Sequence, residues 1–160
     1  MSELGEMPRQ LERSIRSIPT THLRWKPTSW AGSPGETFSA LEHACHLRDI
    51  EKDGYQVRIR RLLEEEYPSL LSIDGYALAA ERDYPAAGLE AVLKSFREAR
   101  HATLDVLRSL SDDQLARTGV FAEYGHVTLR ALAHFLRSHD QQHLACVHWL
   151  IGKMASASPP

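Results

Sequence analysis

Thr128-Leu-Arg-Ala-Leu-Ala-His-Phe-Leu-Arg-Ser-His-Asp-Gln-Gln-His-Leu-Ala-Cys-Val-His-Trp-Leu-Ile-Gly-Lys153 is the stretch that decides the fold class. Successive residues of an α-helix turn by about 100°, so Leu132, Leu136, His139, His143, Val147 and Leu150 share one face. Phe135 and Cys146 sit at its edge. Such a stripe belongs to a core-facing helix, and the spacing predicts one over residues 128–153. Two histidines therefore stand where core side chains belong. A single histidine there is more often a hydrogen-bonded core residue, because a buried imidazole needs partners for both nitrogens. Two of them one turn apart make a bidentate clamp for a divalent metal. His134 and His148 fall on the opposite side of the same helix and read as surface residues.

A metal clamp needs a third ligand, and the first half of the chain offers one. Thr37-Phe-Ser-Ala-Leu-Glu-His-Ala-Cys-His-Leu-Arg-Asp-Ile-Glu51 reads as helix. Projected on a wheel, Glu42, His46, Asp49 and Asp53 form one narrow polar stripe, flanked by Phe38, Leu41 and Cys45 on one side and Ile50 and Val57 on the other. A polar line between two apolar shoulders marks a helix that buries its face around a polar site. His46 is the candidate third ligand. Glu42, Asp49 and Asp53 are candidate catalytic carboxylates, which would orient ligands, move a proton or ligate. His43 points elsewhere and is the weaker choice. The alternative for the whole stripe is a set of buried polar contacts between helices.

Outward from these two segments, Leu4, Met7, Leu11, Ile15 and Ile18 recur at helical spacing and predict a first helix over residues 8–18, with Pro8 in its first turn. A Pro-, Gly-, Ser- and Trp-containing loop follows, in which Trp25 and Trp30 are expected to cover one end of the fold. Ser33-Pro-Gly-Glu36 has the form of a helix start and opens a second helix running to residue 66. Gly54 in its middle costs about 1 kcal/mol against Ala and marks a kink or a close helix contact. Residues 67–85 form a long connection with little helix. A third helix after Pro85 is carried by Leu89, Val92, Leu93, Phe96, Thr103, Val106 and Leu110, and Ser111-Asp-Asp-Gln114 is a further capping box. Residues 117–127 read as loop, extended around Val120 and Phe121. No segment reads as an alternating strand, and residues 155–160 are expected to be disordered. The pattern predicts an all-α four-helix bundle with a long crossover between helices 2 and 3, one domain over residues 1–160 with its ordered core at 8–153.

Composition agrees with one domain: 160 residues, 42% hydrophobic, suffice for a real core. Nineteen basic against 21 acidic residues give a net charge of −2, which is not the footprint of a nucleic-acid binder. Arg58, Arg60 and Arg61, followed by Glu64, Glu65 and Glu66, read as a solvated helix face. No run approaches the ~20 apolar residues of a membrane span, and the N-terminus lacks the form of a signal peptide. Two cysteines make no disulfide framework, so Cys45 and Cys146 are expected as reduced thiols and the protein as cytoplasmic.

Three stretches together resemble a known family. Trp25 to Glu51 ends in a His followed by Leu-x-Asp-x-Glu; Ile73-Asp74 with Tyr84 sits in the crossover; Tyr124 to Ala145 closes on His-Asp-x-x-His-Leu. In order and separation they are similar to the DinB-like, or YfiT-like, four-helix bundle proteins. The resemblance covers residues 8–153 and implies an up-down-down-up bundle. It also implies a metal held by His46, His139 and His143, the trio that helix spacing reaches independently. Cys146 departs from the Gln that many relatives carry three residues after the last ligand. The resemblance further implies a homodimer formed through helix faces, to which His134, His148 or Trp149 would contribute.

Three histidines leave coordination positions open, the pattern of a catalytic metal. Zn²⁺ or Ni²⁺ in such a site lowers the pKa of bound water to about 7 or activates a thiolate. Characterised relatives include thiol-dependent S-transferases and an isomerase. The resemblance thus implies a metal-dependent transferase acting on a small-molecule electrophile, with a low-molecular-weight thiol as co-substrate. Tyr84 and Arg97 are candidate contacts for an anionic substrate. Hydrolysis at the same site is an alternative, and so is a stress-related bundle that binds metal or a small molecule without turnover. A di-iron carboxylate site needs paired Glu-x-x-His motifs, to which Asp140-Gln-Gln-His143 is the one near match.

Overall fold

The structure, a computed structural model, describes residues 2–122 and 124–157. Its first helix, α1 (Ser2–Arg16), starts before the expected residue 8 and carries Pro8 in its interior rather than in its first turn. Proline has no amide hydrogen, so the Leu4 carbonyl one turn back loses its helical donor. The Arg100 guanidinium supplies a replacement, donating from Nη1 to the Leu4 oxygen at 3.0 Å.

The second helix begins at α2 (Ala40–Asp49) and not at Ser33. Both Ser33-Pro-Gly-Glu36 and Ser39-Ala-Leu-Glu42 have the Ser-x-x-Glu form. Only the second directly precedes the periodic apolar run, and it forms the box: Glu42 N donates to Ser39 Oγ while Glu42 Oε2 accepts from Ser39 N at 2.7 Å. Ser33 Oγ instead donates to the Gly35 carbonyl. After Asp49 the helix widens into a π turn, Ile50–Tyr55, which contains Gly54, before α3 (Gln56–Glu64) resumes. A π turn takes in one residue more than an α turn and shifts the phase of everything after it.

The crossover is more ordered than expected. It holds β1 (Ser69–Leu70), α4 (Gly75–Glu81) capped by Asp74, and a 3-10 turn at Tyr84–Ala86. The third bundle helix, α5 (Leu89–Ser109), leads through the capping box at Ser111 into α6 (Asp112–Leu115). The segment expected as loop is a hairpin, β2 (Thr118–Phe121) and β3 (Gly125–Thr128), with β1 parallel to β2 through the pairs Ser69↔Val120 and Leu70↔Phe121. Strands of two to four residues are too short to display the period of two that identifies a strand in sequence. The last helix, α7 (Leu129–Ala157), runs past Lys153, and residues 158–160 of the expected disordered tail lie outside the described residues.

Side-chain pairs fix the helix directions. Glu12 and Arg16 of α1 meet Arg97 and Glu90 of α5, so these two are antiparallel. Glu3 and Ser14 meet Arg137 and His148 of α7, which makes α1 and α7 parallel. Glu51 and Gln56 meet Arg100 and Thr103, so the second helix runs parallel to α5; His43 and His46 meet His143 and His139, so it opposes α7. The result is the up-down-down-up bundle with its crossover between the second and third helices. No helix among the described residues is long and apolar enough to cross a membrane.

The apolar core divides in two. One part holds Met7, Leu47, Phe96 and Leu144; the other holds Leu4, Ile50, Leu104 and Leu136. On α5 and α7 the gap between the two parts falls at Arg100 and at the His139–His143 turn, and His46 and Asp49 lie beside it on α2. A buried polar belt thus crosses the middle of the bundle. Val106, expected in the core, faces outward.

Candidate metal centre

α2 and α7 bring the three predicted histidines together. His139 Nε2 lies 3.2 Å from His46 Nε2 and 3.1 Å from His143 Nε2. Ligand-capable atoms of the three all fall within 4.8 Å of one another. Burial pushes the pKa of His46 down to about 3 and that of His143 to about 4, and holds His139 and His43 well below the ordinary range, with the neighbouring imidazoles adding to it. All four rings are neutral near pH 7. A neutral imidazole has one N–H, so His139 Nε2 can donate to only one of its two Nε2 neighbours. Hydrogen bonding therefore leaves lone pairs converging on one point.

A divalent cation fits that arrangement. Metal–nitrogen bonds of about 2.0–2.1 Å separate tetrahedral ligand nitrogens by about 3.3 Å and octahedral ones by about 2.9 Å. The observed 3.1 and 3.2 Å lie between these limits. His143 is also held from behind: its Nδ1 is 2.9 Å from His43 Nδ1, which directs Nε2 into the cluster. Metal-ligating histidines characteristically have such a partner on the other ring nitrogen. His43, set aside in the sequence as pointing elsewhere, is fully buried and serves this role. It sits three residues before His46, and residues at that spacing share a helix face. His46 is backed by the first turn of α4, where a Cβ on Gly75 would come within 2.7 Å of the His46 ring.

The three carboxylates of the sequence stripe are engaged elsewhere. Glu42 closes the capping box and pairs with Lys26. Asp49 is gripped by Arg48 and Arg82, and the adjoining guanidinium of Arg48 holds its carboxyl below the usual range against the opposing effect of burial. Asp53 is half-exposed and pairs with the same Arg82 nitrogen that contacts Asp49. Among the described residues, no carboxylate joins the three imidazoles in the one ligand cluster. Nor do Tyr84 and Arg97 reach the site: Tyr84 is wholly buried in the core and Arg97 pairs with Glu12. Cys45 and Cys146 are free, buried thiols, both raised by burial, to about 12 and about 11. His134 and His148 are exposed, as expected.

The carboxylate that does approach is Glu36, in the loop before α2. Its Oε2 is buried, has no hydrogen-bond partner, and lies 3.9 Å from His143 Nε2. Beside it opens a cleft of about 220 Å³ lined by Glu36, His46, His139, Tyr55, Arg58 and Tyr124. Nothing in the periodicity of the sequence singles out a loop glutamate, so only the folded chain reveals it. A larger depression, about 470 Å³ between Ile18, Trp25, Ile151 and Met154, gathers no metal-ligating cluster among the described residues.

Comparison with known proteins identifies the fold and the family model that the chain matches. A family model described as the DinB superfamily matches residues 3–147. Among solved structures, YfiT from Bacillus subtilis, described as a probable metal-dependent hydrolase with an unusual four-helix bundle topology, superposes with a TM-score of 0.81. The two are 24% identical, and the match covers 96% of this chain and 85% of that one. At that identity the likeness is one of fold. No curated protein matches the chain in sequence.

Proposed function

The chain belongs to the DinB superfamily, and from that premise we propose that it is a metal-dependent enzyme in which His46, His139 and His143 hold one divalent transition metal, Zn²⁺ or Ni²⁺, beside an open cleft. The observation that carries this reading is the convergence of three neutral Nε2 atoms, of which His139 Nε2 can donate to only one of its two neighbours. A cation bound there supplies Lewis acidity, lowering the pKa of a coordinated nucleophile and polarising an electrophile.

The residues around the cluster do the rest. His43 fixes the ring of His143, and the backbone at Gly75 fixes that of His46. The cleft reaches the cluster at His46 and His139, so a small molecule there would lie beside a cation held by the three imidazoles. Tyr55 and Tyr124 give that cleft aromatic walls, and Arg58, buried and donating to the Leu71 carbonyl, stacks over Tyr55 and Phe121. The nucleophile is water or a low-molecular-weight thiol, which makes the reaction a hydrolysis or an S-transfer to a small electrophile. The description of YfiT as a probable metal-dependent hydrolase supports the first.

Elemental mass spectrometry on the purified protein and on the double variant His139→Ala with His143→Ala tests the reading. About one equivalent of a transition metal in the parent, lost in the variant, is expected. A parent that takes up no metal after incubation with Zn²⁺ or Ni²⁺ overturns it. Given a metal, ester and amide substrates offered with and without added thiol separate hydrolysis from transfer.

A further inference from the structure

Among the described residues, two buried carboxylate oxygens lack any hydrogen-bond partner, Glu36 Oε2 and Glu51 Oε1. Glu51 is committed through its other oxygen to Arg100, deep between the helices. Glu36 has no such commitment and lines the cleft beside His46 and His139. Burying an unpaired carboxylate oxygen is expensive, and an oxygen so placed calls for a donor or a cation. His143 Nε2, at 3.9 Å from Glu36 Oε2, is beyond hydrogen-bond reach.

The loop is built to deliver this side chain. A Cβ on Gly35 would approach Gln142 Nε2 to 2.9 Å and Cys146 Sγ to 3.0 Å, so the backbone before Glu36 lies flush against α7 on the turn that carries His143. On the other side of Glu36, Thr37 N donates to Tyr76 Oη at 2.9 Å and Ser39 caps α2. Glu36 is thus clamped on both flanks with its carboxylate turned to the imidazole cluster. It does not join the cluster within the mutual 4.8 Å that the three nitrogens satisfy. That distance suits a group acting on whatever occupies the open side of the cation, and not a fourth direct ligand.

We propose that Glu36 is a positioning residue of the metal centre, an outer carboxylate whose Oε2 accepts a hydrogen bond from the molecule at the cation's open side and offsets part of the cation's charge. The assignment rests on the metal reading above. It gives this site an acidic group in place of Glu42, Asp49 and Asp53, which the fold engages with arginine and lysine partners.

Competition for Zn²⁺ against a chelating dye, on the parent chain and on Glu36→Gln, tests it, together with the thermal midpoints of both metal-free proteins. Loss of an outer-shell group lowers metal affinity 10- to 100-fold in general. The expected result is one equivalent bound by both proteins, 10- to 100-fold more weakly by Glu36→Gln, with a metal-free midpoint equal to or above the parent's, since the oxygen at that position has no hydrogen-bond partner to lose. Equal affinity in the two proteins overturns the assignment and leaves the metal reading standing. A metal-free midpoint that falls along with affinity marks Glu36 as structural and overturns it too. Failure of the parent itself to bind Zn²⁺ overturns both.

Discussion

Arg100, wholly buried on α5, donates to the backbone carbonyl of Leu4, the carbonyl that Pro8 leaves without its helical partner. The same guanidinium pairs with Glu51 at 2.8 Å and with Asp140 at 2.6 Å. One side chain therefore ties α1, the π turn and α7 to α5, and it does so at the level of the histidines. Removing one partner from a buried ion cluster leaves uncompensated charge, which costs about 3–5 kcal/mol. Arg100→Met is expected to lose that much in a urea titration. Adding Glu51→Gln and Asp140→Asn to it should recover a large part, because the uncompensated charges go as well.

Stability should fall in mild acid. His46 and His143 titrate at about 3 and about 4 in the folded chain, below the ordinary 6.5, and His43 and His139 are displaced in the same direction. The unfolded chain thus binds more protons between pH 6.5 and 4, and stability is lost as pH falls through that window. His143 alone accounts for roughly 3 kcal/mol at about 1.4 kcal/mol per unit. Asp140 acts the other way: burial raises its carboxyl to about 6, so its contribution is present in acid and lost as pH rises from about 4 to 6. One carboxyl against four imidazoles leaves a net loss in acid. Denaturant midpoints of the metal-free protein between pH 7.5 and 4.5 measure it, and a flat profile would contradict the neutral cluster.

How much of this was legible beforehand depended on periodicity. The His139–His143 pair and His46 stand on regular helix, where a residue's face follows from counting, and the four bundle helices follow from the same count. The count puts Glu42, Asp49 and Asp53 on one stripe with His46 but is blind to the lysine and arginine partners that engage all three away from the cluster. It was silent on Glu36, which lies in a loop held by contacts to α7 and Tyr76 that are distant in sequence. Pro8 inside α1 misled for a related reason: the donor that makes it tolerable comes from Arg100, ninety-six positions from the carbonyl it serves.

Gly75→Ala should separate fold from site. A Cβ there would stand 2.7 Å from His46 Cε1 and 3.0 Å from Nδ1, so the ring has to turn away. Gly75 opens α4, where alanine is the better helix former by up to about 1 kcal/mol. The variant is expected to unfold at an unchanged or slightly higher denaturant concentration while its Zn²⁺ affinity falls at least about 10-fold. Affinity equal to the parent's would mean that His46 is free to reorient and that the crossover does not position it.

His43→Phe isolates the support behind the metal ligand. The phenyl ring preserves most of the volume beside His143 but removes the nitrogen that meets His143 Nδ1 at 2.9 Å. It also removes His43 Nε2, a buried atom without a partner, but leaves His143 Nδ1 without one, so the two effects on the metal-free protein oppose each other. With the parent, Zn²⁺ at about 100 times its dissociation constant is expected to add about 2.7 kcal/mol of stability. At the same concentration the variant, binding 10- to 100-fold more weakly, should gain only about 0.4–1.4 kcal/mol. Thermal melts of the two proteins with and without Zn²⁺ read this directly. A variant that gains as much as the parent would show that His143 is oriented by its place on α7 alone and that its contact with His43 is incidental.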